Sequence, residues 1–125
     1  MSAETLNTIS LEKRVNDLNQ RILEGKILDA FEKFYAENVT MQENENEATE
    51  GKAACRVNEI TFVEGITEFR NAEIKSVLIS DNLSVTEWFF DFSHKDWGNR
   101  TYTQLSVQRW NEDGQIVNEK FYYTR

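Results

Sequence analysis

Leu11, Val15, Leu18 and Ile22 fall at i, i+4, i+7 and i+11, one face of an α-helix, with Ser10 placed to cap it and Gly25 placed to end it. The spacing predicts a first helix over about residues 10–24, with 1–9 a loose N-terminal segment. Ile27, Ala30, Phe31, Phe34 and Tyr35 repeat the period and predict a second helix over about 26–37, closed by Asn38. Val39-Thr40-Met41-Gln42 favours a short strand, whereas Glu43-Asn44-Glu45-Asn46-Glu47 is too polar and self-repelling for a sheet interior and reads as a turn. Thr49 is then placed to cap a third helix over about 52–69, with Ala54, Val57, Ile60 and Val63 or Phe62 turned inward and Gly65 weakening the last turn.

From Arg70 onward β-branched and aromatic residues concentrate, punctuated by Ser80-Asp81-Asn82, Lys95-Asp96-Trp97-Gly98-Asn99 and Glu112-Asp113-Gly114 as turns. Four antiparallel strands follow, at about 71–80, 83–93, 100–111 and 115–124. Helices followed by hairpins define an α+β domain with the helices on one face of a bent antiparallel sheet. Strand side chains alternate between faces. Thr86, Trp88, Phe90 and Phe92 form the more aromatic list and should face the helices, with Val85, Glu87, Phe89 and Asp91 behind. On the next strand the pattern leaves Tyr102, Gln104, Ser106, Gln108 and Trp110 undecided against Thr101, Thr103, Leu105, Val107 and Arg109.

The chain has no internal repeat, no low-complexity linker and no proline, so one domain over residues 1–125 is expected. Its length allows a single core without metal or disulfide staples. With 22 acidic and 14 basic residues the formal charge is −8, which makes nucleic acid and anionic membranes poor partners. One cysteine, Cys55, cannot close an internal disulfide, and with one histidine, His94, it cannot make a zinc shell; no metal and no cofactor are expected. The N-terminus lacks the basic and apolar regions of a secretory signal, so a reducing cytoplasm is the expected location. Gly51-Lys52 lacks the earlier glycine of a phosphate loop, since Asn46 stands at that position.

The order helix, helix, short strand, helix, then four strands, with Phe34-Tyr35-Ala36-Glu37-Asn38-Val39-Thr40-Met41 and Trp110-Asn111-Glu112-Asp113-Gly114-Gln115-Ile116-Val117, resembles the SnoaL-like branch of the NTF2-like superfamily over roughly residues 10–124. The resemblance implies a cone closed on one side by helices, a mostly apolar cavity and a dimer through the convex sheet face. In ketosteroid-isomerase-like members the proton-moving carboxylate lies four residues past the start of the strand after helix two, which here is Glu43. Their oxyanion donors correspond to Leu18 and Ser106, of which the first cannot donate and the second donates weakly. Losing one such donor typically costs about 2.7–4 kcal/mol of transition-state stabilisation, which disfavours steroid-type isomerisation. The resemblance also points Gln104, Ser106 and Gln108 into the cone, joined by Val117, Glu119, Phe121 and Tyr123 from the last strand.

Glu43 would act as a base if buried among Trp88, Phe90 and Phe121, and belongs to a solvated acidic turn otherwise. Glu119, alternating with Val117 and Phe121, must find partners inside, and Gln104 and Gln108 are candidates. Trp88 and Trp110 read first as core, with Glu119 a candidate acceptor for an indole N–H; His94 reads as a surface imidazole in a hairpin connection, and Cys55 as a small buried hydrophobe. Val85, Phe89, Leu105, Val107, Ile116 and Tyr122 would form an apolar stripe on the opposite face, with Glu87, Asp91, Arg109 and Lys120 around it, and predict a homodimer. The expected function is binding of a small, largely apolar molecule, with Glu43 or Glu119 as base and Trp88, Phe90, Gln104, Ser106, Gln108, Phe121 and Tyr123 around the ligand. Cofactor-independent isomerase, cyclase or hydratase chemistry would suit such a site. The alternative is a non-catalytic dimeric assembly module whose cone is filled by its own side chains.

Overall fold

The computed structural model describes residues 3–124, with side chains from Leu11 onward. In chain order the elements are α1 (Ala3–Leu23), α2 (Ile27–Phe34), β1 (Tyr35–Glu43), β2 (Thr49–Glu50), α3 (Lys52–Gly65), β3 (Ile66–Ser80), β4 (Leu83–His94), β5 (Gly98–Trp110) and β6 (Ile116–Tyr123). Three helices pack on one curved, unclosed sheet in the order β2-β1-β6-β5-β4-β3. All neighbouring strands are antiparallel except β1 and β6, which run parallel, so the sheet is mixed at one pair where an antiparallel one was expected.

Helix α1 begins well before residue 10 and takes in most of the segment expected to be loose; Met1 and Ser2 lie outside the described residues. Ser10 is therefore interior to the helix. The C-terminal end follows the sequence closely: Gly25 sits at φ +80°, its N–H donates to the Ile22 carbonyl and the Lys26 N–H donates to Arg21, the paired bonds of a Schellman ending. Helix α2 stops at Phe34, short of the expected 37, because Tyr35 turns extended and pairs with Ile116 across the sheet. Tertiary pairing overrides a local period that Tyr35 itself continues.

Helix α3 starts at Lys52, as expected, but the residue at its N-cap is Gly51, at φ +91°, and not Thr49, which instead pairs with Met41 in β2. It ends at Gly65, so β3 begins earlier than expected. A Cβ on Gly65 would lie 2.0 Å from His94 Nε2, so only glycine lets the end of β4 pass this close. The inward stripe of α3 also differs: Val57 is 62% exposed, and Cys55, Glu59 and Phe62 carry the inner face instead.

Three register shifts between β3 and β4 bend the sheet toward the helices. A fourth lies between β5 and β6, where Trp110 pairs with Ile116 and Arg109 with Asn118, leaving Val117 as the extra residue. Ile116 thus turns inward and is fully buried with Leu11, Val15, Leu18, Phe34, Val39 and Trp110, which removes it from the convex stripe and displaces Val117 from the inner face. On the convex face Leu105 and Tyr122 remain 39% and 38% exposed.

Candidate functional site

The curled sheet and the helices above it enclose a cavity of about 770 Å³, open at one end. The aromatic list on β4 does face the helices: Trp88 and Phe92 are buried, and Trp88 stacks on Phe90 with ring centroids 5.2 Å apart. Tyr102, Gln104, Ser106 and Gln108 point inward from β5, and Glu119, Phe121 and Tyr123 from β6, so of the residues the sequence pointed into the cone all but Val117 line this cavity. Leu18 also reaches it from α1.

Glu119 sits at the closed end, 1% exposed, with both carboxylate oxygens taken. The Tyr35 hydroxyl donates to Oε1 at 2.5 Å and Gln108 Nε2 donates to Oε2 at 2.6 Å. The Gln108 carbonyl in turn accepts from Ser84 Oγ at 2.8 Å, and Ser84 Oγ accepts from the Trp110 indole N–H at 2.9 Å. The acceptor for Trp110 is therefore Ser84 and not Glu119. Gln104 does not reach Glu119 but donates to Ser106 Oγ at 3.3 Å. This chain fixes the Gln108 amide so that its NH₂ faces the carboxylate. Burial pushes the Glu119 carboxyl up to about 7, against the two donors, which favour the charged form. Burial, and then the Glu119 charge, hold the Tyr35 phenol well above its ordinary range, so it remains a donor.

Glu59 was not singled out by its sequence position. It projects from α3 into the same cavity and has no hydrogen-bond partner among the described residues. Burial, followed by the charges of Glu119 and Glu43, pushes its carboxyl up to about 8. Glu43, by contrast, is exposed at the rim and accepts from the Tyr123 hydroxyl at 2.6 Å, which is the solvated of the two settings the sequence left open for it. His94 is buried, at 2% exposure, and not on the surface. Strand β4 extends through it with its ring inward, its Nδ1 accepts from the Asp96 N–H at 3.1 Å, and Trp97 stacks on it at 3.8 Å while lining the cavity rim. Cys55 is buried as expected, and burial raises its thiol. Among the described residues no group of three or more His, Cys, Asp or Glu side chains is placed to hold a metal ion, and no helix is long and apolar enough to cross a membrane.

A helix-covered, curved sheet around an acid-bearing aromatic cavity defines an α+β cone protein with an interior pocket. The chain belongs to the SnoaL-like domain family, whose model matches residues 6–123. Among solved structures it is similar to a protein from Mesorhizobium loti named for SnoaL-like polyketide cyclases, at 20% identity and a TM-score of 0.80, covering 90% of this chain and 98% of that one. It is also similar to SalBIII, an epoxide hydrolase/cyclase-like enzyme with a role in pyran ring formation in the polyether salinomycin, at 15% identity and a TM-score of 0.77, covering 94% and 93%. A third, named for SnoaL-like polyketide cyclases, comes from Jannaschia sp. CCS1, at 12% identity and a TM-score of 0.73, covering 89% and 85%. At these identities the likeness is one of fold. None of the curated proteins matches the chain.

Proposed function

We propose that this chain binds a small, largely apolar molecule in the cone and moves a proton on it without a cofactor, isomerising, cyclising or hydrating it with Glu119 as the base. The supporting observation is Glu119 itself, a carboxylate oriented by Tyr35 and Gln108 at the end of an aromatic cavity and poised at about 7, where a base both holds and releases a proton readily. Trp88, Phe90 and Phe121 supply the apolar wall, while Gln104 and Ser106 supply hydrogen bonds for a polar end. Among the described residues no side chain hydrogen-bonds to Glu59, which leaves its carboxyl open to a group on a bound molecule. Pyran ring formation, in which SalBIII has a role, is a cyclisation and so falls within the range of reactions proposed. The cavity volume favours this reading over a cone filled by its own side chains.

A neutral hydrophobic fluorophore, N-phenyl-1-naphthylamine, is expected to brighten on entering the wild-type cavity. Gln104→Trp, which fills space on the inner face of β5, is expected to weaken its binding about tenfold or more while leaving the fold intact by circular dichroism. Equal fluorophore binding by both proteins would show that the dye sits elsewhere.

A second copy is the partner proposed for the convex face. Leu105 and Tyr122 stay exposed there beside Val85, Phe89 and Val107, a patch suited to self-association. Asp91 is already held by Arg70 at 2.8 Å, which leaves Glu87, Arg109 and Lys120 as the charges available to a partner subunit. Sedimentation equilibrium is expected to give a dimer at micromolar concentration; a monomer would contradict this assignment.

A further inference from the structure

The geometry points to a cationic ligand: a small amine or quaternary ammonium whose apolar body lies against the aromatic wall and whose positive charge sits beside Glu59. This rests on the cone cavity being the binding site, as proposed above, and adds the chemical class of its occupant.

The charged side chains lining the cavity are unbalanced. Among the described residues, Glu59 from α3 and Glu119 from β6 lie within, and Glu43 and Glu47 stand toward the rim, against a single cation, Arg100. The Arg100 guanidinium is already engaged over the Tyr102 ring, 4.8 Å from its centroid. Other cations near α3 are turned to different work: Lys52 Nζ donates to the Glu32 carbonyl at 2.9 Å, and Arg56 pairs with the Glu32 carboxylate at 2.6 Å. Glu119 is met only by neutral donors, and Glu59 is met by none among the described residues. A carboxylate so placed ionises reluctantly near neutral pH, and a positive group beside it favours the charged form.

The walls suit such a group. Phe62 and Trp97 lie stacked at 6.1 Å at one side of the cavity, the Trp88 and Phe90 pair at another, and the negative face of each exposed ring attracts a cation. That Tyr102 already carries a guanidinium at the rim shows the same attraction at work within the chain. The net charge of −8 adds long-range steering of cations and repulsion of anions. A neutral molecule of the same shape would gain the apolar contact alone.

Proton linkage follows. In the empty cavity Glu59 holds its proton up to a pH of about 8, with Glu119 and Glu43 the charges that help to keep it there. A permanent cation arriving beside Glu59 displaces that proton, so its affinity must rise with pH through the neutral range, by up to about tenfold per unit for one proton released. Glu119 stays anchored by Tyr35 and Gln108 and remains available as base.

The test uses phenyltrimethylammonium and its uncharged counterpart of equal shape, tert-butylbenzene, titrated into the intact protein at about pH 6 and about pH 8.5. The cation is expected to bind about tenfold or more tightly than tert-butylbenzene at the higher pH, and to weaken by about tenfold or more at the lower. Glu59→Gln is expected to abolish the preference and to leave only the weaker pH dependence that Glu119, at about 7 in the same cavity, contributes, while tert-butylbenzene binds as before. Equal binding of the two probes, or a preference that survives in Glu59→Gln, would overturn the assignment while leaving the cavity as the binding site. Binding of neither probe would overturn the cavity reading beneath it. Should Glu59→Gln fail to fold, the wild-type comparison of cation with isostere at two pH values decides alone.

Discussion

Phe34→Ala is expected to destabilise the chain by about 4 kcal/mol, the cost of removing a fully encased aromatic ring and leaving a space that its neighbours only partly fill. Phe34 closes helix α2, is 1% exposed and meets the Trp110 ring edge-on at a centroid distance of 6.2 Å. Leu11, Val15 and Ile116 belong to the same cluster, so the ring ties the helical layer to the last two strands. It does not line the cavity, so the loss should appear as stability and not as altered ligand affinity. Urea unfolding measures it; a change below about 1 kcal/mol would mean that the helices do not dock on the sheet through this residue.

The second large effect is a fall in stability with rising pH. Glu59 and Glu119 hold their protons more tightly in the folded chain than the ordinary value of 4.5, to about 8 and about 7. Between those limits the folded state binds more protons than the unfolded state, so stability is fully present below about pH 4.5 and drains away as pH rises through 7 and 8. The loss between about pH 5 and about pH 9 should be on the order of 6 kcal/mol if both shifts are realised in full. The carboxylates of Asp17, Glu32 and Asp91, held low chiefly by hydrogen bonds from Arg21, Arg56 and Arg70, act in the opposite sense but below this window. Glu59→Gln is expected to flatten much of the slope and to stabilise the protein at the alkaline end. A stability that is level or rising from pH 5 to pH 9 would mean that the cavity does not desolvate these carboxyls.

Much of this was legible in the sequence because burial and periodicity coincide over long elements. The Leu11, Val15, Leu18 and Ile22 stripe and the alternation of Trp88, Phe90 and Phe92 each describe a face that the structure buries or half-buries. The choice between the two faces of β5 lay beyond the hydrophobic pattern, since the inward list is the more polar one; the family resemblance settled it correctly, because the residues that line a pocket need not be apolar. Ile116 was misplaced for a different reason. A bulge at Val117 shifts the alternation by one, and no feature of Gln115-Ile116-Val117-Asn118 marks it. His94 read as surface because a lone imidazole beside Lys95 and Asp96 looks solvated, yet the glycine at position 65 admits its ring against α3.

Glu59 shows where the reading of α3 failed. Ala54, Val57 and Ile60 form the more apolar stripe, and hydrophobicity alone selects it as the inner face. The helix borders a cavity instead of a filled core, so its inner face carries what the cavity requires: Cys55, Glu59 and Phe62, at i, i+4 and i+7. That spacing was present in the sequence, a carboxylate between a thiol and an aromatic ring one turn away on each side. Tyr35 escaped notice similarly, since helical spacing accounted for it before its hydroxyl was considered. Its contact with Glu119 spans 84 positions of sequence and arises only from the parallel pairing of β1 with β6.

Carboxyl-resolved ¹³C NMR of the glutamate side chains, followed across the pH range, tests the site most directly. Two glutamates are expected to titrate far above the rest, one near 7 that disappears in Glu119→Gln and one near 8 that disappears in Glu59→Gln. Every glutamate titrating close to the ordinary value of 4.5 would contradict a desolvated carboxyl pair within the cone.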